Sequence, residues 1–319
     1  MKKTFIPIIL SFVLVTCKSS QIDTSLVLSP EAISGNIIQS VNYLASDELL
    51  GRGTGTEGID EAATFIENEF KKAGVKPYFD SYRDIFDARG KKAYNVIGYL
   101  EGNDEQLRNE FVIIGAHYDH IGYGKSVESD SIANGANDNA SGTAVVLALS
   151  KYLTARKNNK RSILFVLFGA EEMGLLGSGH LAKRLKDRDL NLYTVMNFEM
   201  LGVPFIDRDY KVFLTGYDKS NMASVINGYA KSNLVGFSEV SQKYSLFMRS
   251  DNFPFYQEFH IPSHTISSCD LTNFDYYHHV DDEVDKMNFK FMAELVKEMI
   301  PVMEAICNTP TPEIKLNEE

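Results

Sequence analysis

Two adjacent carboxylates, Glu171 and Glu172, follow the apolar stretch 162–168 and the pair Gly169-Ala170. Like charges at close range resist ionising side by side, so this pair is costly to hold at the end of a buried strand. A metal ion removes the cost by taking one carboxylate as a ligand, which leaves the other to act as a base. Hydrolysis by a metal-bound water needs this division of roles. A simpler interpretation is a pair in the first turn of a helix, favoured by the helix dipole.

Residues of the same chemical kind come shortly after other apolar runs: His117, Glu199 and His278, with Asp138 in a turn-rich segment before a helical pattern. Sites in open α/β sheets form beyond the carboxyl ends of the strands, so we expect these side chains at one rim. Histidine and carboxylate ligands suit zinc. Asp138 alone could instead cap the helix that follows it. Separate helix caps do not explain why histidine or carboxylate residues follow four different strands at the same end.

The run 117–120 adds a detail to this site. His117 and Asp119 are two residues apart and project to the same side of an extended chain. We expect the Asp119 carboxylate to accept the ring N–H of His117 and so fix the tautomer that binds metal. His120 is expected to point away from the site, as a loop residue.

The elements that must position these residues alternate along the chain. Strands are predicted at 94–100, 111–116, 163–168, 194–198, 211–215 and 261–266. Helices are predicted at 59–70 with Gly74 as the stop, at 142–153, 175–185 and 221–230, and at 289–306 with a disturbance at Pro301. Short continuous apolar strands between helices predict an α/β fold. We expect one three-layer domain, with a mostly parallel mixed central sheet and helices on both faces.

The N-terminus predicts an exported lipoprotein. Lys2-Lys3 precede the apolar stretch 4–16, which is shorter than the roughly 20 residues of a membrane span. The stretch closes at Cys17 in a pattern that resembles a bacterial lipoprotein signal, in which the cysteine carries the lipid. We therefore expect a signal peptide at 1–16, a tether at 17–29, the folded domain at 30–307 and a frayed tail at 308–319. An ordinary cleaved signal with an incidental cysteine is the alternative.

Charge and the remaining cysteines set further bounds. The formal net charge of −11 argues against a nucleic-acid binder, which would carry a basic patch. Export would permit a disulfide between Cys269 and Cys307. Two buried thiols are the simpler interpretation.

Six motifs occur in order after residue 114: GAHYDH at 115–120, GANDNASG at 135–142, FGAEEMGLLGS at 168–178, NFEMLG at 197–202, SDNFPF at 250–255 and YHHVDD at 277–282. LASDE at 44–48 and GRGTGT at 51–56 precede them. Together they resemble the co-catalytic zinc aminopeptidase family, which includes bacterial leucyl-type aminopeptidases, glutamate carboxypeptidases and glutaminyl cyclases. The resemblance covers roughly residues 36–305.

The resemblance implies a site with two zinc ions. Its ligands would be Asp138 between both ions, His117 and Glu199 at one ion, and Glu172 and His278 at the other. Glu171 would be the general base that deprotonates the water between the metals.

Two further assignments follow from the resemblance, and one position departs from it. Asp251 would contact the metal ligands or bind the substrate amine, and Tyr244 would stabilise an oxyanion. Glu199 departs from the family pattern, which usually has Asp at this position. The extra methylene of glutamate changes the reach and rigidity of the side chain. It therefore affects the expected occupancy of that metal position.

The function implied by the resemblance is a zinc exopeptidase, in the first place an aminopeptidase acting on the N-terminal residues of peptides. Glutaminyl cyclisation by amine transfer is the nearest alternative. A carboxypeptidase acting on acidic dipeptides is another, with Arg249 as its one candidate for a substrate carboxylate. A lipid-anchored binding protein without activity belongs to a different class.

Overall fold

A computed structural model describes residues 29–318 of the chain. The predicted signal peptide at 1–16 and the lipidation at Cys17 lie outside the described residues. Among the helices described, none combines the length and apolar character that crossing a bilayer requires.

Eight α-helices are described. They are α1 Pro30–Leu44, α2 Glu57–Ala73, α3 Gly142–Arg156, α4 Leu176–Lys186, α5 Met222–Ala230, α6 Glu239–Lys243, α7 Asn252–Phe259 and α8 Phe289–Asn308. The N-cap residues suit their positions: Ser29 accepts a hydrogen bond from the Ala32 N–H and Asn288 accepts one from the Phe291 N–H.

Eleven strands are described. They are β1 Lys76–Pro77, β2 Arg83–Ala88, β3 Lys91–Leu100, β4 Phe111–His117, β5 Tyr123–Val127, β6 Asp130–Ile132, β7 Ser162–Phe168, β8 Leu192–Glu199, β9 Val212–Leu214, β10 Val235–Gly236 and β11 Ser263–Ser267. Nine form one sheet in the order β1-β3-β7-β4-β8-β11-β9-β10, with β2 beside β3, and β5 pairs with β6. The central strands β7, β4, β8 and β11 are parallel, whereas β1, β2 and β3 at one side are antiparallel to their neighbours.

Strand β7 shows why the sheet is covered on both faces. All seven of its residues are buried. Ile163, Phe165 and Leu167 belong to a core shared with α1, α3 and α8, and the alternate residues of β7 belong to a second core with α4 and α7. Successive side chains of a strand point to opposite faces, so a continuous apolar run needs a helix layer on each side. The predicted three-layer α/β fold with a mixed sheet is confirmed.

The C-terminal segment differs from the prediction. The expected frayed tail is wrong for residues 313–317, because Ile314 is 2% exposed in the core and Leu316 pairs with Ser220. The backbone N–H of Ile314 also donates to the Tyr193 hydroxyl at 2.8 Å. Segment 308–319 is rich in proline and charge, which hid one buried isoleucine and its backbone pairing.

Two other expectations concern α8 and the cysteines. Helix α8 runs to Asn308 with Pro301 inside it. Cys269 and Cys307 are both free and buried, in agreement with the interpretation of two buried thiols.

Candidate metal centre

Neighbouring parallel strands bring the predicted ligands to one edge of the sheet. Strand β4 ends at His117 and β8 at Glu199, and the turn after β7 carries Glu171 and Glu172. The loop after β11 carries His278. Because the carboxyl ends of parallel strands meet at the same edge, residues far apart in sequence converge there.

Asp138 lies at the middle of this group, in the irregular helical turn Ala136–Ser141 that leads into α3. Its Oδ1 is 3.3 Å from Nε2 of His117, and its Oδ2 is 3.4 Å from Nε2 of His278. The two oxygens of one carboxylate therefore face different histidines. This is the arrangement that a ligand bridging two metal ions needs, and it supports the role predicted for Asp138.

Glu172 also has a separate partner for each carboxylate oxygen. Its Oε2 lies 3.0 Å from Nε2 of His278 and its Oε1 lies 3.1 Å from Nδ1 of His120. These contacts outweigh burial and the charge of Asp138, so the pKa of Glu172 is lowered. Glu172 is therefore held in the anionic form that a metal ligand needs.

Among residues 29–318, two sets of donor atoms are compact enough to hold a metal ion. In each set the donors lie within 4.8 Å of one another; the sets are His117, Glu171 and Glu199, and His120, Asp138 and Glu172. Imidazole nitrogens and carboxylate oxygens are the donors that Zn²⁺ binds in hydrolytic sites. The residues present fit zinc.

His120 is closer to this centre than the sequence predicted. The expectation that it points away is wrong: its side chain is fully buried, with Nδ1 3.7 Å from Oδ2 of Asp138. The cause is a backbone pairing in which the His120 N–H donates to the Arg52 carbonyl at 3.3 Å and residue 120 bridges to Gly53. The segment after β4 thus pairs with residues 51–53, which lie far away in the sequence, and the two-residue period of a strand does not reveal such a pairing.

Asp119 acts differently from the prediction. The Nδ1 atom of His117 lies 3.1 Å from the backbone carbonyl of Asp119 and 3.8 Å from its carboxylate. Because a carbonyl only accepts, Nδ1 carries the hydrogen and Nε2 of His117 faces Asp138. The Asp119 carboxylate instead accepts the backbone N–H groups of Glu171 at 3.0 Å and Glu172 at 3.3 Å. Asp119 therefore sets the His117 tautomer through its backbone and holds the turn of the paired glutamates.

Glu199 is supported by a directed set of hydrogen bonds. The Ser250 hydroxyl donates to Oε2 of Glu199, and Nδ2 of Asn197 donates to the Ser250 oxygen at 2.9 Å. Since Asn197 supplies a hydrogen to Ser250, the single O–H of Ser250 is left for the carboxylate. Burial raises the pKa of Glu199 to about 7. The longer side chain at this position thus has a fixed orientation, with Oε1 left for a metal.

Arg52 joins two of the loops that carry ligands. Its guanidinium is fully buried and donates to the carbonyls of Tyr118 at 2.8 Å, Asn134 at 2.6 Å and Gly135 at 2.9 Å. Burial lowers its pKa to about 10, so Arg52 is still charged at neutral pH. With the Leu44 carbonyl at 2.5 Å, this buried cation satisfies four carbonyls, which costs less than leaving those carbonyls unpaired. The sequence showed only that Arg52 stands between two glycines.

Asp282 completes the support of Asp138. Its carboxylate accepts the backbone N–H groups of Asn137 at 2.7 Å and Asp138 at 3.0 Å. Burial raises the pKa of Asp282 to about 7.

The surroundings of Glu171 disfavour its charged form. Burial raises its pKa well above the usual range; His117 opposes this shift and Asp251 adds to it. For His117, burial alone would lower the pKa, but Glu171 and Asp138 raise it well above its usual value. Without metal, the cluster therefore holds protons that a metal ion would displace.

Asp251 is fully buried beside these carboxylates, and neither of its oxygens has a hydrogen-bond partner among the described residues. Burial raises its pKa to about 7. An unpaired buried carboxyl is costly, which makes it a candidate for contact with a ligand. The role assigned to Asp251 stays a prediction.

A small pocket of about 40 Å³ opens beside Glu199. Tyr277 and Arg249 line it together with apolar side chains and several serine and threonine hydroxyls. The Tyr277 ring stacks on His278 with centroids 3.9 Å apart. Burial, with the charge of Asp138, raises the pKa of Tyr277, so its phenol stays protonated as a hydrogen-bond donor.

Tyr244, the predicted oxyanion donor, does not line this pocket, and its side chain is 49% exposed at the end of α6. Sequence reasoning missed Tyr277, although its place next to His278 was a usable signal. A larger cavity of about 180 Å³ lies near the turn Leu246–Met248 and is not lined by the ligand cluster.

A family model, Peptidase family M28, matches residues 95–303, well over half of the chain. Aminopeptidase YwaD of Bacillus subtilis is 30% identical over 164 residues, which cover 51% of this chain and 33% of that protein. The chain spans about 40% of the length of the first curated relatives that it matches.

Solved structures share the fold at low sequence identity. The LapA aminopeptidase of Legionella pneumophila superposes with a TM-score of 0.68 at 19% identity, covering 90% of this chain and 76% of that chain. The glutaminyl cyclase of Fimbriiglobus ruber superposes with a TM-score of 0.66 at 17% identity, covering 87% of this chain and 95% of that chain.

Proposed function

Because the chain belongs to peptidase family M28, we propose that it is a zinc-dependent aminopeptidase that hydrolyses the first peptide bond of peptides. The observation that carries the proposal is Asp138, whose two carboxylate oxygens face two different histidines, His117 and His278. Such a centre suits two metal ions that share one carboxylate. The name of YwaD, an aminopeptidase, supports the same activity.

Five side chains would hold two zinc ions. Asp138 would bridge them, with His117 and Glu199 at one ion and Glu172 and His278 at the other. When bound, zinc polarises a carbonyl and lowers the pKa of a bound water.

Glu171 acts as the general base in this proposal. It belongs to the same compact set as His117 and Glu199 but is not needed to bridge the metals. Its raised pKa suits a carboxyl that takes a proton from water and returns it to the leaving amine. The protonated phenol of Tyr277, which lines the pocket beside Glu199, donates a hydrogen bond to the developing oxyanion.

The substitution Glu171→Gln tests the base. We expect the variant to bind zinc like the unmodified protein and to lose about 10²- to 10⁴-fold in turnover of aminoacyl chromogenic substrates. Glu258→Gln, on an exposed part of α7, is the matched control and keeps full activity. Zinc content and initial rates are measured on the same samples. Full activity of Glu171→Gln would exclude Glu171 as the base.

Glutaminyl cyclisation is the second candidate, supported by the structural similarity to the Fimbriiglobus ruber enzyme. Peptides that begin with glutamine separate the two reactions by mass. Hydrolysis releases free glutamine, whereas cyclisation removes ammonia and leaves the peptide length unchanged. Acidic dipeptides test the carboxypeptidase alternative in the same assay. Arg249 is exposed at the pocket beside Glu199, where it is available to bind a substrate carboxylate.

We also propose that the protein is exported and anchored to a bacterial membrane by a lipid on Cys17. The support is the sequence of residues 1–17 alone. Mass spectrometry of the N-terminal peptide from membrane fractions tests it. Lipid on Cys17 is the expected result, and an unmodified Cys17 in a soluble mature chain would contradict it.

A further inference from the structure

His120 is a buried histidine that the roles above leave unused. Its ring lies against the backbone of Gly135, where an added Cβ would be 2.6 Å from two ring carbons. Its backbone N–H is bound to the Arg52 carbonyl. The position of the ring is therefore fixed by the backbone of Gly135 and by the hydrogen bond to Arg52. Because Gly135 has no side chain, there is space for the ring.

In this position Nδ1 of His120 faces the carboxylates of Glu172 and Asp138, which His278 also contacts. Nδ1 is 3.1 Å from Oε1 of Glu172 and 3.7 Å from Oδ2 of Asp138. On the other side, Nε2 of His278 is 3.0 Å from Oε2, the second carboxylate oxygen of Glu172, and 3.4 Å from the same Asp138 oxygen. Two imidazoles thus approach the same pair of carboxylates.

These separations match the edges of a zinc coordination shell. Ligands about 2.0–2.1 Å from a tetrahedral zinc ion lie about 3.3 Å from one another. The four measured separations, 3.0, 3.1, 3.4 and 3.7 Å, scatter around that value.

The other half of the centre has fewer donors. Once Glu171 is reserved as the base, His117, Asp138 and Glu199 remain. Three protein ligands with an open place are the usual arrangement of catalytic zinc, and four protein ligands are the usual arrangement of structural zinc.

We propose that His120 is a metal ligand, and that His120, Asp138, Glu172 and His278 form one zinc position with four protein donors. The inference rests on the proposed two-zinc function. It makes the two positions unequal: the four-donor position binds zinc first and exchanges it slowly, and the three-donor position binds the second ion and keeps a place for water.

The rival role for His120 is a hydrogen bond from Nδ1 to Glu172 that orients the carboxylate without touching metal. Nε2 of His120 has no hydrogen-bond partner among the described residues, whichever ring nitrogen carries the hydrogen, so it does not distinguish the two roles. The roles differ in what Nδ1 contacts: a zinc ion in one, and the Glu172 carboxylate alone in the other. That difference can be measured directly.

X-ray absorption of the full-length protein loaded with one equivalent of zinc provides that measurement. We expect two imidazole ligands at this first zinc, from His120 and His278. A single imidazole at the first zinc would overturn the proposal, because each position then holds one histidine. This experiment needs no substitution and does not depend on a variant that folds.

Substitutions give the second line of evidence. His120→Ala is expected to bind its first zinc at least tenfold more weakly in titrations against a chelator, with circular dichroism to confirm folding. His279→Ala is the matched control, because His279 is adjacent to His278, partly exposed and paired with Asp281. It is expected to bind zinc like the unmodified protein. Unchanged affinity in His120→Ala would overturn the proposal.

The two proposals fail in different ways. A stripped protein that takes up no zinc at all contradicts the proposed function and this inference together. A protein that takes up two zinc ions and hydrolyses peptides, but shows one imidazole at each ion, contradicts the role of His120 alone.

Discussion

Glu171 and Glu172 are neighbours in the chain but have opposite surroundings. Glu172 contacts His120 and His278, and its pKa is lowered despite burial. Glu171 is partly buried, and desolvation together with the nearby charge of Asp251 raises its pKa. Two carboxyls whose pKa values are pushed apart are suited to different tasks, one as an ionised ligand and one as an acid–base group. The division of roles inferred from the sequence thus has a physical basis in the partners of each side chain.

Ser250→Ala tests the support of Glu199. Removing the hydroxyl leaves Oε2 of Glu199 without its donor, so we expect zinc at the His117 side to bind about 10- to 100-fold more weakly. Ser267→Ala is the matched control, because Ser267 lines the same pocket and bonds to the Cys269 carbonyl instead. Zinc stoichiometry after dialysis is the measurement. Equal retention of the second zinc in both variants would show that Glu199 does not depend on Ser250.

At the scale of elements, the strand ends could be predicted and the loop contacts could not. Strands β4, β7 and β8 are apolar runs that stop at polar residues, so His117, Glu172 and Glu199 were placed from the sequence. His120 and Arg52 owe their positions to a backbone pairing between segments far apart in the chain. Such pairings have no periodic signal, because they depend on how loops meet after the sheet has formed.

Gly135→Ala tests one of these loop contacts. Gly135 has φ +57°, and an added Cβ would lie 2.3 Å from the Asp138 carbonyl and 2.6 Å from the His120 ring. We expect a loss of about 1–3 kcal/mol in the free energy of unfolding, together with weaker zinc binding.

Gly179→Ala is the matched control for that substitution. It lies in α4 with open space around the added Cβ, so we expect unchanged or slightly raised stability. Chemical denaturation of both variants gives the comparison. A Gly135→Ala protein as stable as the Gly179→Ala protein would contradict the described packing of His120.

At the scale of the whole molecule, the fold concentrates buried acids at one rim of a sheet that is covered on both faces. The alternation of helices and strands predicted this architecture. The net charge of the chain did not predict where the acids gather, because most acidic residues of a protein are solvated. The packing of segment 313–317 was not predicted either. Its single buried side chain, Ile314, cannot form the periodic apolar pattern that marks a helix or a strand.

The buried acids make the stability of the metal-free protein depend on pH. Burial raises the pKa to about 6 for Asp119 and to about 7 for Glu199, Asp251 and Asp282, compared with ordinary values of 3.8 and 4.5. The folded state therefore keeps protons that the unfolded chain has lost, and the free energy of unfolding falls as pH rises from about 5 to about 8.

Thermal melting checks this prediction. We expect the metal-free protein to melt several degrees lower at pH 8 than at pH 6. Zinc displaces the protons and binds more tightly as pH rises, so the zinc-loaded protein should lose or reverse the trend. A metal-free protein that melts higher at pH 8 than at pH 6 would contradict the protonation described for the cluster.

The most direct test of the central claim is the fate of a peptide incubated with zinc-loaded protein and followed by mass spectrometry. We expect a peptide with a free N-terminus to lose residues one at a time from that end. We also expect the N-acetylated peptide to stay intact and the metal-stripped protein to be inactive. Cleavage that starts at the C-terminus or inside the chain, or no cleavage of any free peptide by the zinc-loaded protein, would contradict the proposed activity.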